Sequence, residues 1–392
     1  MLGGVAFQRV VLAPTPTALD RVTAADGAPL TGAGGVTGQV GGTLPAAGSA
    51  APSGSPSAPP GSPAAATGTT SPAVGAPVPA AAGSGSAAGA WPGGIGPLAG
   101  GPTGGPAARP SGNPFAGARF YADPDSQALA DAASAGGSTA AALRRLGAGP
   151  HAYWFGYADP AETTRSVAAR VALIRAAGAL PVLVAYGIPN RDCGGYSAGG
   201  APDAAAYRSW SAAFAAGLGA GPAAVILEPD ALAQTDCLAA ADLQTRYSLL
   251  AGAVSALAAA GASVYLDAGN AGWRSAADMA ARLRAAGVAG ARGFALNVSN
   301  FGTTAAQDSY GDAVVAALTS GDQGSGAHFV VDTSRNGLGP ASGNQWCNPP
   351  GRALGTAADA ATGDPNADAL YWIKIPGESD GTCNGGPPAG QW

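Results

Sequence analysis

Two carboxylates stand one residue apart in Glu228-Pro229-Asp230, directly after the apolar run Val225-Ile226-Leu227. Acids so placed can cap a following helix, or they can give and take the protons of a hydrolysis. The same pattern recurs along the chain. Tyr186 and Asp192 follow one apolar run, Asp267 and Asn297 follow two others, Asp332 follows a fourth, and Lys374, Glu378 and Asp380 follow the last. Each alone reads as a cap or a loop-ordering group. Gathered at one rim they would raise one another's pKa and cost stability, which argues for a chemical role. A divalent cation held by oxygen ligands and a carboxylate acid–base pair both fit such a rim. Trp154, Trp273 and Trp346, with Tyr186, fall in or beside the same loops and offer flat faces on which sugar rings stack. The chain's two histidines, His151 and His328, give little support to a nucleophilic triad or a zinc centre.

These residues need a scaffold that brings strand ends together. Strand-like runs at 118–121, 151–155, 180–186, 223–227, 263–266, 293–296, 328–331 and 369–373 alternate, from the second onward, with helical patterns, among them 202–218, 238–260, 275–286 and 305–318. Asp159-Pro160-Ala161-Glu162 carries an N-cap, a proline at the first helical position and an acid two residues on. Pro229 ends its strand and suits the first turn of a following helix. Repeated βα units imply a parallel sheet, and about 275 residues with seven or eight strands suit a closed or nearly closed barrel, whose chemistry sits at the carboxyl ends of the strands. An open doubly wound sheet lacks its Gly-rich phosphate fingerprint here.

The composition sets the remaining bounds. Of 392 residues, 63 are Gly and 33 Pro, while charged residues make up only 11%, so much of the chain cannot be core. Residues 1–112 hold no charge between Asp26 and Arg109, and read as a disordered Gly/Ala/Pro/Ser-rich linker. A formal net charge of −5 argues against nucleic-acid and anionic-membrane partners. No apolar run is long enough for a membrane span. Lys374 is the sole lysine, so its place at a strand end is not surface filler. Cys193, Cys237, Cys347 and Cys383 lack metal-ligand spacing, leaving two disulfides in an oxidising compartment or four buried thiols. Met1 to Asp20 makes a poor signal peptide.

The motifs Tyr186-Gly187-Ile188-Pro189-Asn190-Arg191-Asp192-Cys193, Glu228-Pro229-Asp230, Tyr265-Leu266-Asp267-Ala268-Gly269, Asn297-Val298-Ser299-Asn300, Asp332-Thr333-Ser334-Arg335-Asn336-Gly337, Trp346-Cys347 and Lys374-Ile375-Pro376-Gly377-Glu378-Ser379-Asp380-Gly381 together resemble glycoside hydrolase family 6. The resemblance runs from Phe120 to the C-terminus. It implies a distorted (β/α) barrel of about seven parallel strands over 113–392, following the disordered segment. It also implies a secreted, monomeric enzyme that inverts β-1,4-glucans, cellulose among them, without a cofactor or metal.

By the family pattern Asp230 is the general acid, Asp192 the neighbour that keeps its pKa high, and Asp380 the candidate base. Asp267 is a further carboxylate near the site, and Tyr186 crowds the sugar ring. Ser197 would help hold the attacking water, Trp154, Trp273 and Trp346 would stack on sugars, and Asn297, Lys374 and Glu378 would hydrogen-bond them. The resemblance also pairs Cys193 with Cys237 and Cys347 with Cys383. Asn270 stands where many bacterial members have His, and the end at Gly390-Gln391-Trp392, short of a closing helix, implies truncation. The short segment after Asp380, Gly385 to Gly390, leaves no room for a tunnel roof, so an open cleft and endoglucanase action are expected. A cellobiohydrolase and a non-catalytic cellulose-binding protein are the alternatives.

Overall fold

The computed structural model describes residues 111–320 and 326–392. The reading of 1–112 as linker therefore lies, but for its last two residues, outside the described residues. Seven parallel strands run in sequential order: β1 (Tyr153–Gly156), β2 (Val182–Tyr186), β3 (Ala223–Leu227), β4 (Ala262–Asp267), β5 (Gly293–Leu296), β6 (His328–Asp332) and β7 (Ala367–Tyr371). The sheet curls until its first and last strands nearly meet. They share one parallel bridge, His151 with Trp372, where the Ala152 N–H donates to the Trp372 carbonyl at 2.9 Å.

Two helices, α1 (Gln127–Ser134) and α2 (Gly137–Gly147), precede β1. Between the strands lie α3 (Pro160–Ala176), α4 (Ala204–Leu218), α5 (Ala240–Ala259), α6 (Ala276–Ala285) and α7 (Thr304–Thr319). The start of α3 is as expected, with the Asp159 carboxylate accepting the N–H groups of Ala161 and Glu162 and Pro160 opening the helix. Such a cap stabilises a helix by about 1 kcal/mol. Among the described residues no helix is long and apolar enough to cross a membrane.

Strand residues alternate between two cores. Ala223, Val225 and Leu227 of β3 pack outward under the helices with Val264 and Leu266 of β4, whereas Ala224, Ile226 and Tyr265 fill the interior with Val330. Period-two alternation in a sheet covered on both faces makes most strand positions apolar. The exceptions within strands include Ser263, His328 and Asp368 near the amino ends.

Three expectations are corrected. Residues 118–121 form no strand; a single bond ties them to the barrel, from the Leu180 N–H to the Arg119 carbonyl. Phe120 instead sits edge-on to Tyr371 at 5.4 Å, and Phe115 packs on Tyr265, so the aromatic run serves the interior core. Pro229 opens no helix: 229–233 is a turn held by the Gln234 N–H to Asp230 carbonyl bond, and α5 begins only at Ala240. The last strand is Ala367–Tyr371, two residues earlier than expected.

Candidate active site

The acids after β3 serve different places, and both hold left-handed backbones, Glu228 at φ 53° and Asp230 at φ 72°. Glu228 turns into the fold, fully buried, and accepts the N–H groups of Gly187 and Ile188 at 2.9 Å. It braces the end of β2. Asp230 turns to the cleft, and its N–H donates to Asp267 Oδ1 at 2.9 Å. Asn190, Asp192, Cys193, Asn297 and Ser299 also hold positive φ. Each such non-glycine residue costs roughly 1–2 kcal/mol, and strain of this kind gathers where a site over-determines the backbone.

The cleft is a cavity of about 1310 Å³ at the carboxyl ends of the strands. Asp230, Asp192 and Asp380 all line it. The Asp230 carboxyl is pushed well above the usual carboxylate range, by burial first and then by the charges of Asp267, Asp192 and Asp380. Asp267, 1% exposed, is raised to about 7 by burial, against two backbone donors, and its Oδ2 has no hydrogen-bond partner among the described residues. Two neighbouring groups that both resist ionisation can hold a proton near neutrality.

The other two acids are held differently. Asp192 sits in the loop after β2, where its Oδ2 accepts the Ser197 N–H at 2.7 Å. Arg191 fastens that loop by donating to the carbonyls of Tyr186, Ser197 and Ala198 while lying over the Tyr186 ring. Asp380 is buried and ion-paired, with Arg335 Nη1 and Nη2 each 2.9 Å from one of its oxygens and the Asn348 N–H 3.0 Å from Oδ2. Those donors occupy lone pairs that a direct base would use.

Flat faces and polar tips line the walls. Trp154 is oriented by its indole N–H on the Ile373 carbonyl at 2.7 Å, and stands edge-on to Tyr186 at 5.4 Å. Burial and the nearby acids push the Tyr186 hydroxyl far up, so it stays neutral. Trp273 packs on Gly269, whose φ of 68° and missing Cβ admit the ring. Trp346 is 49% exposed. Lys374 is buried, its pKa lowered by that burial, and its ammonium lies 3.2 Å from Glu378. Ser197, Trp273, Trp346, Lys374 and Glu378 all face the cavity.

Asn297 does not: it is fully buried, its amide donating to the Gly302 and Asp332 carbonyls and accepting the Gly302 N–H. Asp267 lies behind Asp230 rather than on the cleft wall. Asp332 accepts N–H groups of Ser299, Ser334, Ile373 and Lys374 and so ties together the ends of β5, β6 and β7. Sequence reasoning missed Arg335, Arg191, Tyr196 and Asn300. Arg191 directly precedes Asp192, and that adjacency is the available signal; Arg335 serves Asp380, 45 residues on, with no local signal.

Cys193–Cys237 and Cys347–Cys383 form disulfides, as the resemblance implied. The first joins the Asp192 loop to the segment after β3. The second joins the Trp346 loop to the segment after Asp380.

The profile of glycosyl hydrolases family 6 matches residues 115–392. Endoglucanase A of Cellulomonas fimi is 45% identical over 275 residues, 70% of this chain. The chain spans 58% of that relative's length. The solved endoglucanase Cel6 of Mycobacterium tuberculosis, in complex with methyl-cellobiosyl-4-deoxy-4-thio-β-D-cellobioside, is 48% identical with a TM-score of 0.68, covering 72% of this chain and 95% of that one. A probable 1,4-β-D-glucan cellobiohydrolase C of Aspergillus fumigatus is 31% identical, with 71% of each chain covered.

Proposed function

The chain belongs to glycosyl hydrolases family 6, and from that premise we propose that it is an inverting endo-β-1,4-glucanase whose catalytic domain is 113–392. The observation that carries the chemistry is the Asp230 carboxyl: it lines the cleft, and burial and the charges of three other acids raise its pKa. A carboxyl in that setting keeps its proton and donates it to the departing glycosidic oxygen. The endo preference rests on the higher identity to bacterial endoglucanases, 45% against 31% for the fungal cellobiohydrolase.

In an inverting hydrolysis water attacks the anomeric carbon from the face opposite the leaving group, which needs carboxyls about 6.5–9.5 Å apart. Tyr186 and Trp154 press on the ring from one side and favour its distortion. Asp192 sustains the proton on Asp230 and, with Ser197, orders water at the mouth of the loop. Both Asp380 oxygens are taken by Arg335 and one also by the Asn348 N–H, so it acts on the water through an intervening water rather than by direct contact. Trp273 and Trp346 carry sugars further along the chain, and Lys374 with Glu378 takes their hydroxyls. Asp267 is assigned an electrostatic role through the Asp230 backbone, and Asn297 a structural one. The two disulfides fit an extracellular enzyme, acting as a monomer.

Proton NMR of freshly released product tests the stereochemistry. The α-anomer appears first if hydrolysis inverts; a β-anomer released first overturns the reading. Carboxymethylcellulose viscosity tests the endo preference, and should fall much faster than reducing ends appear.

A further inference from the structure

The walls that carry Asp192 and Asp380 are each anchored by a disulfide. Between them lies one close approach. A Cβ placed on Gly381 would lie 2.5 Å from Tyr196 Cβ, 2.7 Å from its Cγ and 2.9 Å from its Cδ1. The nearest atom is the Cβ rather than the end of a flexible chain, so a side chain at 381 would displace the loop backbone itself. The Tyr196 ring also meets Trp346 at 6.1 Å between centroids. Tyr196 is nonetheless 51% exposed, far more than a core aromatic. Its ring is not there to build the core.

Position in this loop is position of the carboxylate. The Asp192 Oδ2 accepts the Ser197 N–H at 2.7 Å, and a Cβ on Gly195 would fall 2.6 Å from the same oxygen. The carboxylate thus lies on its own loop and moves with it. On the facing wall, Gly381 follows Asp380 directly, and its carbonyl accepts the Asn348 side-chain amide at 2.7 Å while the Asn348 N–H binds Asp380.

We propose that Tyr196 and Gly381 form a clasp between the two walls, which makes them positioning residues for the hydrolysis. The clasp rests on the endoglucanase reading above and adds to it a specific inter-loop contact. It sets the distance between Asp192 and the Asp230–Asp380 side of the cleft, acting on the chemical step rather than on sugar affinity. Loss of about 1 Å in such placement can cost on the order of 10²-fold in rate.

Steady-state kinetics on carboxymethylcellulose, with thermal melts, compare wild type with Tyr196→Ala, Tyr196→Phe, Gly381→Ala and the Tyr196→Ala/Gly381→Ala double variant. Tyr196→Ala should lower kcat about tenfold or more with KM and Tm nearly unchanged, and Tyr196→Phe should restore kcat. The double variant should be no slower than Gly381→Ala alone, because the two act through one contact. A rise in KM at constant kcat for Tyr196→Ala would make Tyr196 a sugar contact and overturn the clasp. Additive losses would overturn it as well. Tyr196→Ala lies on an exposed side chain, so the result stands even if Gly381→Ala fails to fold. An active wild type with a fully active Tyr196→Ala sinks the clasp alone, whereas a wild type inert on the polymer sinks the endoglucanase reading and the clasp with it.

Discussion

The two ends of the barrel bury aspartates in opposite ways. At the amino end Asp368, 2% exposed, receives Arg292 Nε at 2.7 Å and Nη2 at 2.8 Å, the Tyr265 hydroxyl at 2.6 Å, and has His328 at 3.4 Å. At the carboxyl end the charges of Asp267, Asp192 and Asp380 act on the buried Asp230 and raise its pKa. The first arrangement repays the desolvation of the charge. The second leaves it unpaid, and a fold retains such a cluster where a proton must be held. Conservation of charge balance at one end and its deliberate breach at the other separate scaffold from catalyst.

The largest effect expected is on Asp230. Asp230→Asn should cost about 10²–10⁴-fold in kcat on β-glucan, with a melting temperature equal to or above wild type because a strained acid is relieved. Steady-state assays and calorimetry check both halves. Asp368→Asn should do the reverse. It leaves Arg292 buried without its charge partner and should destabilise by about 3–5 kcal/mol, read by denaturant unfolding, while activity per folded molecule is kept.

A finer contrast lies in pH. Asp192 is one of the charges that raises the Asp230 pKa, so Asp192→Asn should lower that pKa and move the alkaline limb of kcat/KM to more acid pH. A limb that stays in place would detach Asp192 from the proton donor. The smallest effect concerns stability. Asp267 titrates at about 7 in the fold, raised chiefly by burial, and at about 3.9 in an unfolded chain. Between those values the native state binds more protons than the unfolded one, so stability falls as pH rises through the window. Asp267→Asn should flatten that fall in melting temperature between about pH 4 and 7.

Much of the barrel could be read along the chain because each strand is buried on both faces and ends where polar residues begin. Residues 223–227 and 293–296 were placed to the residue. The aromatic stretch at 118–121 misled because the same side chains suit a strand and an interior plug, and only tertiary contacts with Tyr371 and Leu180 decide between them. At the site, sequence placed the acids at one rim but not the direction each faces. Asp230 lines the cleft, whereas Glu228 and Asn297 are turned inward by partners far along the chain, Gly187 and Ile188 for the first and Asp332 for the second. The Arg335–Asp380 pair joins residues 45 apart, and neither local pattern nor periodicity reports such a partner.

The central claim is that Asp230 supplies the proton to the leaving group. The most direct test compares wild type and Asp230→Asn on a β-1,4-glucan and on 2,4-dinitrophenyl β-cellobioside, whose leaving group needs no proton. The account predicts that the variant loses about 10²–10⁴-fold on the glucan but stays within about tenfold of wild type on the activated substrate. Equal losses on both substrates would contradict it.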